Sequence, residues 1–537
     1  MGKVDGSILL KNGLIVDGTG EKGYVGDLLI EGEKIKNISK TPLDIDCRAV
    51  DCSGLVIAPG FIDAHSHMDW VLAMEGFEKL KIPYTAQGCT TFVTGNCGYS
   101  PGGFRPDSEY VNMIRLGADR SFDIDWSAME GYFNHVEKVG LSHNIIHLVG
   151  HGTTQISMRG LKTSPLDKDE MKELLGLLEE AMDQGAAGVS FGLGYEPGMF
   201  FSTDEIKEVA RLVKKKNKIV TVHGRVYSFV SAFYRERGGT PHNVLSLQEM
   251  IDVARETGVR MQYSHLMFAG TITHPTYKQC LEVLDQAISD GVDIMTDTYP
   301  YHCGNSVINV ILPPWFLANI PANYHDSDAL ARVERGLDNM SRNVGFGYNH
   351  VQVTFANHPD FNPYNGMFVD EIADRLGISP AMVVLELSEK TNGRARILNH
   401  NYSDMEIIDA LIAHPACLFM TDAVASPEGV QNPAAFGTFP LLLQYARDRN
   451  LLPLEQAVRK MTGATAERFN IGDRGFLKEG LAADVTVFDW ENIKDNNTVT
   501  ETDQEPTGIE AVFINGRQVK KDGQVDGSIS PGKVIRT

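Results

Sequence analysis

The sequence predicts an α/β protein: a TIM-like (β/α)8 barrel, with a small β-sandwich domain formed from both termini and an insertion after the seventh barrel strand. Three observations predict it. Eight short β-rich runs alternate with amphipathic helical patterns through the middle of the chain. Both ends are strand-and-turn sequence instead. Residue types that bind metals follow six of the eight runs, at the same end each time. In a barrel of this class that end is where active sites are built.

The eight runs are Phe61–Ile62, Thr90–Thr94, Ile145–Val149, Ala187–Phe191, Ile219–Val222, Arg260–Ser264, Asp293–Thr296 and Cys417–Thr421. The helices between them have clear signatures. Ser202 and Glu205 make a capping box ahead of Ile206, Val209, Ala210 and Val213, which share one helical face. Met171, Leu174, Leu175, Leu178 and Met182 repeat that spacing one helix earlier. The long gap from Thr298 to Pro415 calls for an insertion, expected within about 299–350. At the N-terminal end, Asn12-Gly13, Asp17-Gly18 and Glu31-Gly32 read as turns between strands. At the other end Asn515-Gly516 reads as a hairpin turn after Ala511–Ile514. Each end alone offers few strands to bury a face, so the two are expected to fold together. The expected organisation is therefore 1–60 with 480–537 as a β-sandwich domain and 61–479 as the barrel.

Composition narrows the function class. The 537 residues are 42% hydrophobic and 22% charged, enough for a large core. The net charge of −21 argues against a nucleic-acid partner, whose phosphates would be repelled. Seven cysteines are few and odd in number, which fits a reducing compartment better than a disulfide framework. The opening MGKVDGSILLKNG lacks the apolar core of a signal peptide, and no run of 18 uncharged apolar residues occurs. A cytoplasmic location without membrane association is the expectation. The oligomeric state is left open, a homo-oligomer included.

His65 and His67 carry the first chemical signal. Residues two apart on an extended strand point the same way, so both imidazoles can face one metal. Cys97 follows the second strand, His151 the third, His223 the fifth, His265 the sixth and Asp422 the eighth. An isolated cysteine is ordinarily an inert buried thiol. The place of Cys97 after a strand, between Asn96 and Gly98, points to a ligand instead. Imidazole, thiolate and carboxylate suit zinc, and a carboxylate beside activated water can act as base and acid.

The motifs VIAPGFIDAHSH (56–67), TGNCGYS (94–100), LVGHGT (148–153), GLGYEPG (192–198), GTFPLLL (437–443) and ATAERFNIGDRGFLKEGLAADV (464–485) extend this. Together they resemble the amidohydrolase superfamily and, within it, the N-acyl-D-amino-acid deacylases. The resemblance implies a metal-dependent hydrolase of amide C–N bonds acting on a small molecule. It implies that Cys97, His223 and His265 hold a tight zinc, that His65, His67 and Asp422 form a second, weaker site, and that Asp422 is the general base and acid.

Departures from the family pattern concern the substrate. A lysine two places after the sixth-strand histidine is replaced by Met267, and an arginine before the GTFP motif by Ala434. Two cationic clamps for a substrate carboxylate are therefore absent. His151, Tyr195, Arg225, Met267, Tyr299 and Tyr301 are the candidate substrate-binding residues, with His151 and Tyr195 placed near the scissile carbonyl. The alternatives are a cyclic amidase of the hydantoin, dihydropyrimidine or lactam type and a non-catalytic scaffold. The cyclic amidases typically bridge their metals with a carboxylated lysine, and Ser190 and Gly192 stand where one would be sought. Scaffolds usually lose ligands, and this chain retains them.

Overall fold

The computed structural model describes residues 6–114, 123–234 and 239–537. Eight parallel strands form the barrel: Phe61–Asp63, Cys89–Thr94, Asn144–His147 resuming as Val149–Gly150, Gly188–Gly192, Ile219–His223, Arg260–Tyr263, Ile294–Thr298 and Cys417–Phe419. Each pairs in parallel with its sequence neighbour. The third strand breaks at Leu148, where two bonds bridge the gap: Leu148 N donates to Thr94 O (2.9 Å) and Ala187 N to His147 O (2.7 Å).

The seam between the first and eighth strands is the weakest join. A long backbone bond, Ala64 N to Phe419 O at 3.4 Å, crosses it, and just beyond the strands Asp422 N donates to His65 O (2.9 Å) and His67 N to Ala423 O (3.2 Å). The Asp63 carboxylate supplements these bonds by accepting from Thr421 N at 2.9 Å and Thr421 Oγ1 at 2.6 Å. Inside the barrel Ile62, Val93, Ile146, Leu148, Ile219 and Leu418 pack together. Outside, the helices press their apolar stripes on the strands. Lys168–Asp183 buries Met171, Leu174 and Leu178, and Thr203–Lys215 buries Ile206, Val209, Ala210 and Val213. The capping box is present: Ser202 N donates to Glu205 Oε2 at 2.7 Å, and Glu205 N to Ser202 Oγ at 3.3 Å.

The two ends of the chain meet in one nine-stranded sheet. Val56–Pro59 is its hinge, pairing in parallel with Ser7–Ile15 and antiparallel with Val485–Phe488. Asn515 and Gly516 turn the hairpin between Ile509–Ile514 and Arg517–Lys521, both with positive φ (45° and 75°). Asn12-Gly13 does not turn the chain. Ser7–Ile15 is one strand with a register shift between Leu10 and Gly13, and the left-handed Asn12 (φ 61°) forms a bulge whose N–H donates to Asp27 Oδ1 at 2.9 Å. The same positive φ serves a turn or a bulge, and tertiary pairing decides which.

The segment after the seventh strand runs further than the expected 299–350. It builds an antiparallel sheet of Gly304–Val307, Val351–Phe355 and Arg396–Asn399. A core of its own, including Phe316, Val333, Val353, Ile372 and Ile397, lies under that sheet. Its return chain is tied to the loop after the sixth barrel strand: Phe268 N donates to Tyr402 O (2.8 Å) and Gly270 N to Asn401 O (3.0 Å). All seven cysteines are free thiols. Among the described residues, no helix is long and apolar enough to cross a membrane.

Asp484 holds the terminal sheet to the barrel. Its carboxylate accepts from Asn144 Nδ2 on the third barrel strand (2.9 Å) and from Asn515 N (2.7 Å), and it pairs with the Arg474 guanidinium. Both charged side chains are only 3% exposed. Removing one partner of a buried pair strands the other, so Asp484→Ala is expected to destabilise the protein by about 3–5 kcal/mol. Urea unfolding of the two proteins side by side measures this.

Candidate metal centre

Six side chains converge at the C-terminal ends of the strands. His65 and His67 follow the first strand, Cys97 the second, His265 the sixth and Asp422 the eighth, while His223 ends the fifth. Their atoms form two adjoining triangles. In one, Cys97 Sγ lies 3.9 Å from His223 Nδ1 and 3.5 Å from His265 Nε2, and the two nitrogens are 3.0 Å apart. In the other, His65 Nε2 and His67 Nε2 are 3.4 Å apart, each 3.3 Å from Asp422 Oδ1. Cys97 Sγ to His65 Nε2, 3.3 Å, links a corner of one triangle to a corner of the other. The donor atoms of His65, Cys97, His265 and Asp422 all lie within 4.8 Å of one another.

These separations fit a metal. Tetrahedral ligands about 2.0–2.3 Å from zinc stand about 3.3–3.8 Å from each other. Four imidazoles, a thiol and a carboxylate converging in one small, largely buried volume are the donor types that zinc takes. The electrostatics agree. Burial pushes the Cys97 thiol up, but the imidazoles of His65, His223 and His265 more than reverse this and hold it well below the ordinary thiol value. Burial also raises the Asp422 carboxyl, and His265, His65 and His67 bring it below the usual carboxylate range.

The backbone is strained where the ligands sit. Cys97 (φ 55°), His265 (φ 34°) and Asp422 (φ 48°) are all left-handed, at about 1–3 kcal/mol each. Specific bonds hold them there. Tyr195 Oη donates to Cys97 O at 2.7 Å, and the next amide, Gly98 N, to Ser190 Oγ at 3.0 Å. His265 N donates to Asp297 Oδ1 at 2.6 Å. Asp422 N donates to His65 O at 2.9 Å, beside the Asp63–Thr421 bonds of the seam. Gly192 gives the room: a Cβ there would stand 2.3 Å from Cys97 O.

The candidate substrate residues fare unevenly. Tyr195 stands at the centre, its ring 4.8 Å from that of His223, but its hydroxyl proton is engaged by Cys97 O. Tyr299 is buried with no partner for its hydroxyl, close to Gly304 at the start of the insertion's first strand. Met267 is half-buried, two residues past His265. His151 is packed among aromatic rings. Its ring is wedged between Phe191 (4.8 Å) and Phe201 (4.2 Å), fully buried, and that burial pushes it down to about 3. Arg225 is not a free clamp. It makes a paired salt bridge to Glu249 (3.1 and 3.0 Å) and donates to the carbonyls of Met199 (3.1 Å) and Phe201 (2.9 Å). Tyr301 donates to Asp495 Oδ2 at 2.8 Å, which ties the barrel to the C-terminal segment. Arg225 and Tyr301 are thus held by protein partners, whereas His151 is held by aromatic packing with both ring nitrogens unpartnered.

Sequence reasoning assigned no role to Asp63, Asp297 or Ser190. All three are buried, and each accepts a bond from a backbone amide at or beside a ligand. The available signal was a polar residue within or at the end of an apolar strand run.

An eight-stranded barrel with a His-X-His pair, four further metal-ligand-type side chains beside it and a sheet from both termini defines the amidohydrolase class. Comparison with known proteins agrees. Residues 375–520 match the model of the amidohydrolase family. The chain is 30% identical over 534 residues to the D-aminoacylase of Alcaligenes xylosoxydans xylosoxydans, covering 99% of this chain and 98% of that one. It is 28% identical to the N-acyl-D-glutamate deacylase of the same organism, covering 98% and 96%. The solved N-acyl-D-glutamate deacylase of Bordetella bronchiseptica, in complex with zinc and a phosphonate inhibitor, superposes with a TM-score of 0.81 at 25% identity, covering 100% of both chains. The chain belongs to the D-aminoacylase family of amidohydrolases.

Two outcomes test the centre. Cys97→Ala is expected to lose bound metal, and Asp422→Asn to keep most of it while kcat falls by about 100-fold or more, as metal analysis and steady-state kinetics would show. In metal-free protein the depressed thiol keeps Cys97 charged as pH falls below about 8.5, the free-cysteine value. Thiolate absorbance in the far ultraviolet is therefore expected to persist below that pH and to vanish in Cys97→Ala.

Proposed function

We propose that the protein is a zinc-dependent, cytoplasmic hydrolase of an amide bond in a small N-acylated D-amino-acid-like substrate, whose carboxylate is not held by the usual cationic clamps. The observation that carries this reading is the pair of adjoining donor triangles. Cys97, His223 and His265 form the tight site, where thiolate softness and two imidazoles suit zinc. His65, His67 and Asp422 form a second, weaker site. The zinc complex of the Bordetella relative supports the choice of metal.

A metal bound here supplies Lewis acidity and lowers the pKa of water toward neutrality. The chain's own residues do the rest. Asp422, held ionised and facing His65 and His67, accepts the proton of the attacking water at Oδ1. It returns that proton to the leaving amine nitrogen as the C–N bond breaks. Tyr195 fixes the Cys97 carbonyl, and with it the thiolate, so that the ligand geometry is preorganised. Tyr299, the one buried tyrosine of the set whose hydroxyl lacks a partner, is the substrate-binding group.

Recognition is where this chain departs from its relatives. Met267 and Ala434 carry no charge, and Arg225 is already neutralised by Glu249. With no free cationic side chain at these three positions, discrimination in favour of a carboxylate is weak, since loss of one partner of such a pair costs about 2–5 kcal/mol. Zinc-loaded protein is therefore expected to cleave N-acyl-D-amino acid amides and esters with higher kcat/KM than the free N-acetyl-D-amino acids, and Met267→Lys to raise kcat/KM for the free acids at least about tenfold. Strong turnover of several free N-acetyl-D-amino acids by the unmodified protein would overturn the loss of carboxylate anchoring. Preferential opening of hydantoins or dihydropyrimidines would move the assignment to the cyclic amidases.

A further inference from the structure

A chain of buried polar side chains runs through the barrel interior from its floor to the metal centre. Arg468 ends the short helix Gly463–Arg468 at the N-terminal face of the barrel. Its guanidinium donates to the carbonyl of Met261 and to the Asp293 carboxylate, at the lower ends of the sixth and seventh strands. Its Nε donates to Gln262 Oε1 at 3.1 Å. Gln262 Nε2 donates to Asp297 Oδ2 at 2.7 Å, and Asp297 Oδ1 accepts the backbone N–H of His265 at 2.6 Å. Asp297 O also accepts from the following amide, Leu266 N, at 3.1 Å. Arg468, Gln262, Asp297 and His265 are 6%, 1%, 0% and 2% exposed.

The polarity of this chain is dictated by chemistry. A guanidinium only donates, so Gln262 must turn its oxygen toward Arg468. Its amide hydrogens then face Asp297, and an ionised carboxylate can accept from both Gln262 and His265. The last bond is short and charge-assisted, and it grips the left-handed residue whose Nε2 faces Cys97 and His223. We propose that the Arg468–Gln262–Asp297 relay sets the position of His265, making these three the positioning residues of the tight metal site. The proposal rests on the assignment of His265 as a ligand.

The test measures zinc affinity by chelator competition and the visible spectrum of the cobalt-substituted protein, whose bands report thiolate and imidazole geometry. Asp297→Asn can still accept from His265, but its new N–H groups oppose those of Gln262. Affinity is expected to fall about 10–100-fold, with shifted cobalt bands. The double variant Asp297→Asn/Gln262→Glu restores the order of donors and acceptors, because the introduced carboxylate accepts from both neighbours. It is expected to recover most of the affinity and the original spectrum. Unchanged affinity and spectrum in Asp297→Asn, or a double variant no better than the single one, overturns the relay. Gln262→Met, which removes the middle link without opposing donors, keeps the test open if Asp297→Asn does not fold. It is expected to lower affinity about 3–10-fold, and wild-type affinity and bands would overturn the proposal. His265→Ala separates the two levels. If it leaves metal content intact, the ligand assignment fails; if it removes metal while Asp297→Asn does not weaken binding, only the relay fails.

Discussion

Six metal-ligand-type side chains must be held within touching distance of one another at the top of this barrel. Four imidazoles, a thiolate and a carboxylate are packed at 3.0–3.9 Å along the edges of two triangles, in surroundings with little water to screen them. Such an arrangement persists only if the scaffold over-determines it. Three of the six ligands have left-handed backbones, and each is gripped by a bond from a neighbouring strand or loop. The glycines, the interior aspartates and the seam between the first and eighth strands all serve that constraint.

The interior aspartates show how stability and function are joined. Asp63 closes the seam through Thr421 and also receives the His65 amide at 3.2 Å, so one carboxylate both completes the barrel and aims a ligand. Its carboxyl is raised to about 7, mainly by burial, with the bonds from Thr421 and His65 opposing that rise. Asp297 sits in the matching place beside His265 and is braced from below by Gln262 and Arg468. Polar groups buried in a barrel are tolerated because each is satisfied, and their directional bonds locate atoms in a way apolar packing cannot.

A different layer surrounds the centre. The insertion after the seventh strand folds around its own core and returns at residues 400–404, bonded to the loop that carries Met267. The loop after Asp422 is fastened to the same insertion: Val430 N donates to Thr354 O at 3.0 Å and Arg396 Nη2 to Glu428 O at 2.9 Å. Loops that differ in length and charge can thus change substrate recognition while the metal ligands, rooted in the strands, stay in place.

The fold and the convergence of six donor side chains were largely legible in the sequence. Strand–helix alternation is a local periodicity, and ligands that follow strands inherit a common end of the barrel from that alternation, so His65, His67, Cys97, His223, His265 and Asp422 could be grouped without coordinates. The Ser202–Glu205 cap and the Asn515-Gly516 hairpin were legible for the same reason, since both are decided within a few residues. Other features depended on partners far away in the chain. Arg225 is neutralised by Glu249, Tyr301 is turned to Asp495, His151 is wedged between Phe191 and Phe201, and Asn12 bulges because Asp27 and the neighbouring strand hold it. The sequence by itself determined the architecture and the chemical identity of the centre, because periodicity and residue type are local. Only the tertiary structure decided which polar side chains are engaged by the scaffold and which are left unpartnered, because a hydrogen-bonding side chain turns toward whichever partner the fold brings within about 3 Å.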